Sequence, residues 1–385
     1  MAIKVGIVAG EASGDLLGSR LIREIKKHRP DVEFIGIAGP KMMAEGASSL
    51  FPMEKLSLHG YGLDVLKAIP ALLSIRRRLY RYFVKNPPQV FIGIDAPDFN
   101  FSLEKKLKKK GVNVIHYVSP SIWAWRKGRM SKIKRAAHHI LTLFPFEPAI
   151  YQAASVNASY VGHPMADEIP LYPDKKEARV QLKLEKSPLI IAMLPGSRIG
   201  EVKHHAELFV RTAQKIAQIH PKALFLVPLI TRETRAIFEA ALYGSFDQDP
   251  EAVHPNIKTM FGHAHLAMQA ADFVLVACGT ASLEAALLKK PMVITYRMPW
   301  LNWQILKRMN YLPWVGLPNI LAQRFVVPEL LQDDANPERV AETILRMLGD
   351  KLMLDDIRSE FTNMHENLRQ DNAEKAAQAV LAYLS

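Results

Sequence analysis

Two separate series of apolar strands, each strand running into a turn and a helix, most constrain how this chain can fold. In the first half the strand candidates are residues 4–9, 32–38, 90–94, 112–118, 139–143 and 158–161, with helical periodicity between most of them, as over 16–27. The pattern then starts over. Residues 189–194, 223–228, 257–261, 273–277 and 292–295 read as strands, alternating with helices over 201–219, 232–242 and 282–288. Short apolar runs separated by amphipathic helices are the pattern of parallel strands covered on both faces. Two such series predict an α/β chain of two doubly wound, Rossmann-like domains followed by a helical C-terminal segment. At 385 residues the chain is long for one core and comfortable for two. The expected domains are 1–166, 167–345 and C-terminal helices over 346–385, with the proline-bearing stretch 162–173 as the linker.

Charge separates the two halves. Residues 1–165 hold 25 Lys/Arg against 12 Asp/Glu, a net +13, whereas the remainder carries 25 against 26, a net −1. The first domain therefore faces an anionic surface, either nucleic acid or membrane. Nucleic acid fits poorly, because the clusters Arg76-Arg77-Arg78 and Lys108-Lys109-Lys110 lack interleaved aromatics and no known binding motif is present. The single cysteine, Cys278, excludes a disulfide framework and a cysteine-built metal site. No apolar run approaches the roughly eighteen residues that span a bilayer, and Met1-Ala2-Ile3-Lys4 leads straight into a strand instead of a secretory signal. A cytoplasmic protein is expected.

Four turns carry candidate chemistry. Gly10-Glu11-Ala12-Ser13-Gly14-Asp15 follows the first strand but is not a dinucleotide fingerprint, since Ala12 and Asp15 stand where glycines are needed. Glu11 would repel a pyrophosphate, so Glu11 and Ser13 suit a neutral, hydroxyl-rich group. Asp95-Ala96-Pro97-Asp98 closes the strand at 90–94. Asp95 at a strand's carboxyl end is placed to act as a general base toward a hydroxyl. Asp98 is either a second catalytic carboxylate or the N-cap of a helix starting at Phe99. In the other half, Pro195-Gly196-Ser197-Arg198 is either a phosphate cradle or an ordinary strand-to-helix turn, and its place after a strand favours the cradle. Gly279-Thr280-Ala281-Ser282-Leu283-Glu284 offers hydroxyls from Thr280 and Ser282 for a phosphate and Glu284 for ribose hydroxyls; helix capping is the competing explanation.

The run from His116 to Arg126 adds an aromatic and basic loop. Trp123 and Trp125 can line a wall for a sugar face or acyl chain, Arg126 can hold a phosphate, and one tryptophan can equally plug the core. His116 reads as a core histidine. No metal is expected: His138-His139 and His204-His205 are adjacent pairs with no cysteine beside them, and Asp247-Gln248-Asp249 precedes a proline in a loop.

Together, the motif 10–15, the segment Ile94-Asp95-Ala96-Pro97-Asp98-Phe99-Asn100, the run 116–126, the turns 195–198 and 279–284, and Leu317-Pro318-Asn319 resemble the lipid-A-disaccharide synthase family, in order and over nearly the whole chain. The resemblance implies an inverting glycosyltransferase of the GT-B fold in lipid A biosynthesis. It implies UDP-2,3-diacylglucosamine as donor, 2,3-diacylglucosamine 1-phosphate (lipid X) as acceptor through its 6-hydroxyl, and UDP as leaving product. It also implies Asp95 as the base, Glu11, Arg198, Glu284 and Asn319 as further site residues, and a homodimer exchanging C-terminal elements. The first domain would bind acceptor and face the membrane, the second would bind UDP-sugar, and the substrates would meet between them. A UDP-sugar epimerase on the same scaffold is the competing enzyme.

One segment connects the charge to a membrane. Leu66, Ile69, Leu72, Leu73 and Ile75 precede Arg76, Arg77 and Arg78. Either this is a buried helix, or it is an interfacial element that lays apolar side chains into the cytoplasmic leaflet of the inner membrane while arginines meet head groups.

Overall fold

The computed structural model describes residues 3–56, 63–123, 127–248, 253–309 and 312–384. It divides into two compact units, Met1–Asp167 with Asn367–Ser385, and Glu168–Glu366. The first holds seven strands: β1 (Ile3–Ala9), β2 (Val32–Ile37), β3 (Ser48–Ser49), β4 (Val90–Ile94), β5 (Asn113–Tyr117), β6 (His139–Thr142) and β7 (Asn157–Tyr160). They pair in parallel in the order β3-β2-β1-β4-β5-β6-β7. The second unit holds β8 (Ile190–Leu194), β9 (Leu224–Leu229), β10 (Asn256–Phe261), β11 (Phe273–Ala277), β12 (Met292–Tyr296) and β13 (Glu329–Leu331), parallel in the order β10-β9-β8-β11-β12-β13. Every residue of β4, β8, β9 and β11 is buried, as strands covered on both faces require.

The C-terminal stretch 346–385 is not a unit of its own. Its helix Lys351–Leu368 lies almost wholly in the second unit, and the chain then returns to the first. There the helix Asn372–Leu381 packs on the helix Ala12–His28 of the same chain and puts Ala376, Ala377 and Val380 into the first core. Three backbone amides, of Gln370, Asp371 and Asn372, donate to the Asp167 carboxylate. Asn372 also donates to the Gly162 carbonyl and accepts from the Tyr117 hydroxyl at 2.5 Å.

The helix Leu63–Lys85 corrects part of the membrane expectation. Ile75, Leu79 and Phe83 recur every fourth residue and are buried, Phe83 meeting Phe91 edge-on at 5.4 Å. Ile75 is therefore a core residue, and Leu72 is half-buried against the same core. Arg76 lies over the Phe99 ring, and Arg78 over Phe51 at 4.7 Å, so both guanidinium groups turn toward the protein. The exposed stripe is Ile69, Leu73, Arg77 and Arg81, about 200° around the helix from the buried one. The side chain of Leu66 lies outside the described residues. Among those residues no helix is long and apolar enough to cross a membrane.

Candidate functional site

Each sheet has one point where strand order reverses, and open parallel sheets bind ligands beyond the carboxyl ends of the strands at that point. In the first unit it lies between β1 and β4, in the second between β8 and β11. The four turns singled out in the sequence follow these four strands: 10–15 after β1, 95–98 after β4, 195–198 after β8 and 279–284 after β11.

In the first unit the two turns touch: a Cβ built on Gly10 would lie 2.8 Å from the Ala96 methyl, so only glycine lets them approach this closely. The helix after β1 starts at Ala12, not at Leu16, which places Ser13 in its exposed first turn and makes Glu11 an exposed N-cap residue without a capping bond. Asp15 is buried and accepts the amides of Lys41 and Met42, each at 3.0 Å, so the second carboxylate of this turn anchors the chain after β2.

Asp95 and Ala96 both adopt left-handed backbone, at φ 50° and 42°. Val118, across the same opening, has φ 81°. Such conformations cost about 1–3 kcal/mol each and persist where surroundings over-determine them. The Asp95 amide donates to the Tyr117 carbonyl at 2.8 Å, and its own carbonyl accepts from Asn100 Nδ2 at 2.8 Å. Its half-buried carboxylate has no hydrogen bond or ion pair among the described residues. It faces a cleft of about 350 Å³ whose other walls include Pro97, Ser119, Ile122 and Arg129.

Two expectations for this unit change. The helix after β4 begins at Pro97 with Ala96 as its N-cap residue, so Asp98 does not cap a helix starting at Phe99. Its carboxylate is 91% exposed and meets Arg129 at 3.3 Å. Trp123 is packed, not a free wall. Its Nε1 donates to Glu147 at 3.0 Å, and its ring stands edge-on to Phe144 and Phe146. Arg126 and Trp125 lie outside the described residues. His116 is a core histidine, as its apolar strand implied.

In the second unit, Gly196 at φ 129° turns the chain out of β8. The amides of Ser197 and Arg198 donate to Glu201 Oε2 at 2.9 and 3.2 Å, and the Ser197 hydroxyl lies 3.4 Å from the same oxygen. These donors are thus engaged by Glu201 at the helix Ile199–Ile219, contrary to the expected phosphate cradle, while the Arg198 side chain is exposed. His205 locks this helix to the chain after β12: its Nδ1 donates to the Glu201 carbonyl and its Nε2 accepts the Arg297 amide. Burial lowers its pKa, in keeping with this neutral form.

Gly279 and Thr280 are exposed at the start of the helix Thr280–Leu287. Ser282 is not available to a ligand, because it is fully buried and its hydroxyl donates to the Gly279 carbonyl at 2.7 Å. Glu284 lies 3.1 Å from His265 Nδ1 and remains partly open. Asn319 is also buried. Its Nδ2 donates to the Val327 carbonyl and to Glu329, and its Oδ1 accepts the amides of Val326 and Val327, so it organises a loop and has no free edge for substrate. The Cys278 thiol is pushed up to about 12 by burial, which makes it a poor nucleophile. Among the described residues no three His, Cys, Asp or Glu side chains converge on a common point.

Sequence reasoning missed three buried polar residues around the Asp95 cleft: Asn100, Glu104 and Glu147. Only Asn100 and Glu104, four apart on a helix leaving a functional turn, gave a signal that could have been read.

Two doubly wound sheets with ligand-edge turns at both switch points define a two-domain protein of the GT-B fold class. Solved structures share this fold across both units: the UDP-GlcNAc 2-epimerase of Neisseria meningitidis matches with a TM-score of 0.65 at 13% identity over 99% of this chain and 100% of that one. The calicheamicin glycosyltransferase CalG4 matches at 0.59 and 14% identity over 99% and 98%. At such identities the likeness is one of fold alone. The sequence is decisive where the fold is not, since the family profile described as Lipid-A-disaccharide synthetase matches residues 5–382. The lipid-A-disaccharide synthase of Methylobacillus flagellatus is 61% identical over 99% of both chains, and that of Azoarcus sp. is 53% identical over 100% of this chain and 97% of its own. The chain belongs to the lipid-A-disaccharide synthase family. It is therefore a glycosyltransferase of lipid A disaccharide synthesis, acting on a nucleotide-sugar and a lipid acceptor, and the epimerase reading is set aside.

Proposed function

We propose that the chain transfers 2,3-diacylglucosamine from UDP-2,3-diacylglucosamine to the 6-hydroxyl of 2,3-diacylglucosamine 1-phosphate with inversion, releasing UDP. The observation that carries this reading is the carboxylate of Asp95, unpaired among the described residues and held on a left-handed turn at the switch point of the first sheet. Asp95 takes the proton of the acceptor hydroxyl as that oxygen attacks the anomeric carbon from the face opposite the leaving group. The anomeric carbon–phosphate oxygen bond breaks, and UDP departs with its electron pair. Glu11 and Ser13 beside Asp95 orient acceptor hydroxyls. The exposed Arg198 and the start of the helix Thr280–Leu287, with Gly279 and Thr280, offset charge developing on the diphosphate. Glu284 receives ribose hydroxyls. Arg198 and the helix end supply the positive charge that a metal ion would otherwise bring to the diphosphate. The acylated substrates are collected at the inner-membrane surface by the stripe Ile69, Leu73 and Arg77.

The test is a reaction with both diacylated substrates, followed by mass spectrometry for the disaccharide 1-phosphate. Asp95→Asn should lower kcat by about 10²–10⁴ while leaving UDP affinity unchanged. Parent-like turnover of this variant would remove Asp95 from the mechanism, and no disaccharide from the parent would overturn the reading altogether.

A further inference from the structure

Directly beneath the Asp95 turn lies a polar cluster that the proposed reaction does not use. Asn100, Glu104 and His116 are all fully buried. Asn100 and Glu104 share one face of the helix Pro97–Lys108, and His116 stands on β5 in register with Gly93 of β4. Glu104 Oε1 lies 2.7 Å from His116 Nδ1. Asn100 Nδ2 donates to the carbonyls of Asp95 at 2.8 Å and Ile94 at 3.4 Å. A Cβ on Gly93 would fall 2.0 Å from Glu104 Oε1 and 3.1 Å from Asn100 Cγ, so β4 carries a glycine where both side chains crowd its surface. The other atoms of the trio, Asn100 Oδ1, Glu104 Oε2 and His116 Nε2, have no hydrogen-bond partner among the described residues. Burial raises the Glu104 pKa, against the pull of His116. Three buried polar side chains with incomplete partnering cost stability that an apolar trio of similar volume would not. Their position, under two consecutive non-glycine residues in left-handed conformation, shows what that cost can support.

We propose that Asn100, Glu104 and His116 are positioning residues for Asp95. Asn100 holds the carbonyls on both sides of the strand end, which keeps the turn left-handed and aims the carboxylate into the cleft. The Glu104–His116 pair ties the helix carrying Asn100 to β5, so that Asn100 cannot drift from those carbonyls. This inference rests on Asp95 being the base, and the variants below separate the two ideas.

Full-length parent, Asp95→Asn, Asn100→Leu, the double variant Asp95→Asn/Asn100→Leu, Glu104→Gln and Glu104→Leu are assayed for kcat, for KM of each substrate, and for Tm. Asn100→Leu should lower kcat about 10–100-fold, as expected for a misplaced catalytic group, with donor KM at the parental value and Tm lowered by a few degrees, because the Asp95 carbonyl loses its donor. The double variant should be no slower than Asp95→Asn alone, because Asn100 acts only through Asp95. Glu104→Gln, which still accepts from His116, should retain at least tenfold more activity than Glu104→Leu. Parental kcat in folded Asn100→Leu, or losses that multiply in the double variant, would overturn the proposal while leaving the base assignment standing. Parental kcat in Asp95→Asn would instead sink the base assignment. If Asn100→Leu does not fold, Asn100→Ser shortens the donor while keeping the site polar and carries the same two outcomes.

Discussion

Replacing Glu147 with glutamine should tilt the pH dependence of stability in a direction that can be worked out in advance. Glu147 is 1% exposed, and burial pushes its carboxyl up to about 7, although the amides of Leu143 and Phe144, Trp123 Nε1 and the Ser119 hydroxyl all oppose the rise. An acid whose pKa is higher folded than unfolded keeps its proton in the native state after the unfolded chain has lost it. Its contribution is complete below about 4.5, falls as pH rises, and is gone above about 7. The difference of about 2.5 pH units corresponds to about 3 kcal/mol. His163, whose ring stacks on Phe144, slopes the other way: burial lowers its pKa to about 4, so its contribution is present above 6.5 and lost as pH falls. In the parent the two slopes offset each other over much of the range from 4.5 to 6.5. In Glu147→Gln the acid's slope is gone and the His163 slope is no longer offset by it. Urea unfolding of both proteins, followed by tryptophan fluorescence between pH 4.5 and 8, should show the variant gaining about 3 kcal/mol on the parent across that range. A difference between the two that stays constant within 1 kcal/mol would show that the carboxyl titrates near its ordinary value, and the burial argument would fail.

Two further outcomes follow from side chains whose roles the structure changes. Asn319→Ala strips hydrogen bonds from Val326, Val327 and half-buried Glu329, and should destabilise the second unit by about 3 kcal/mol or more; an unchanged urea midpoint would return Asn319 to the substrate-contact role. On the helix Leu63–Lys85, Ile75→Ser should cost about 2–5 kcal/mol, while Leu73→Ser should stay within about 0.5 kcal/mol and weaken sedimentation with anionic vesicles. Equal destabilisation by both would contradict the assignment of two faces.

The strands that position the site were legible because parallel strands covered on both faces leave unbroken apolar runs, as at β4, β8 and β11. Two edge strands were not: β3 has two serines and β13 three residues, too short to show a period. All four ligand-edge turns were found from the strand-to-turn rule, but what their side chains do was read less well. Ser197, Ser282 and Asn319 carry groups suited to a ligand, yet their donors and acceptors are engaged by the protein itself, a matter of partners distant in sequence or of local capping geometry. Ile75 was distinguishable in principle, since its four-residue spacing with Leu79 and Phe83 runs opposite to that of Ile69 and Leu73. Glu147, lying between two prolines, looked like a solvated loop residue, and nothing local to it announces its burial.

The return of the chain's last helix to the first unit has a consequence for biosynthesis. Residues 367–385 leave the ribosome about 200 residues after Asp167, whose carboxylate they engage, and at about 5–20 residues per second that delay is about 10–40 s. Throughout it, the face of the helix Ala12–His28 that later receives Ala376, Ala377 and Val380 is without its cover. The second unit, continuous in sequence, has every residue it needs before the first does. The half of the molecule translated first is thus the half completed last, and chaperone engagement or a ribosomal stall near residue 360 would act on an unfinished N-terminal core.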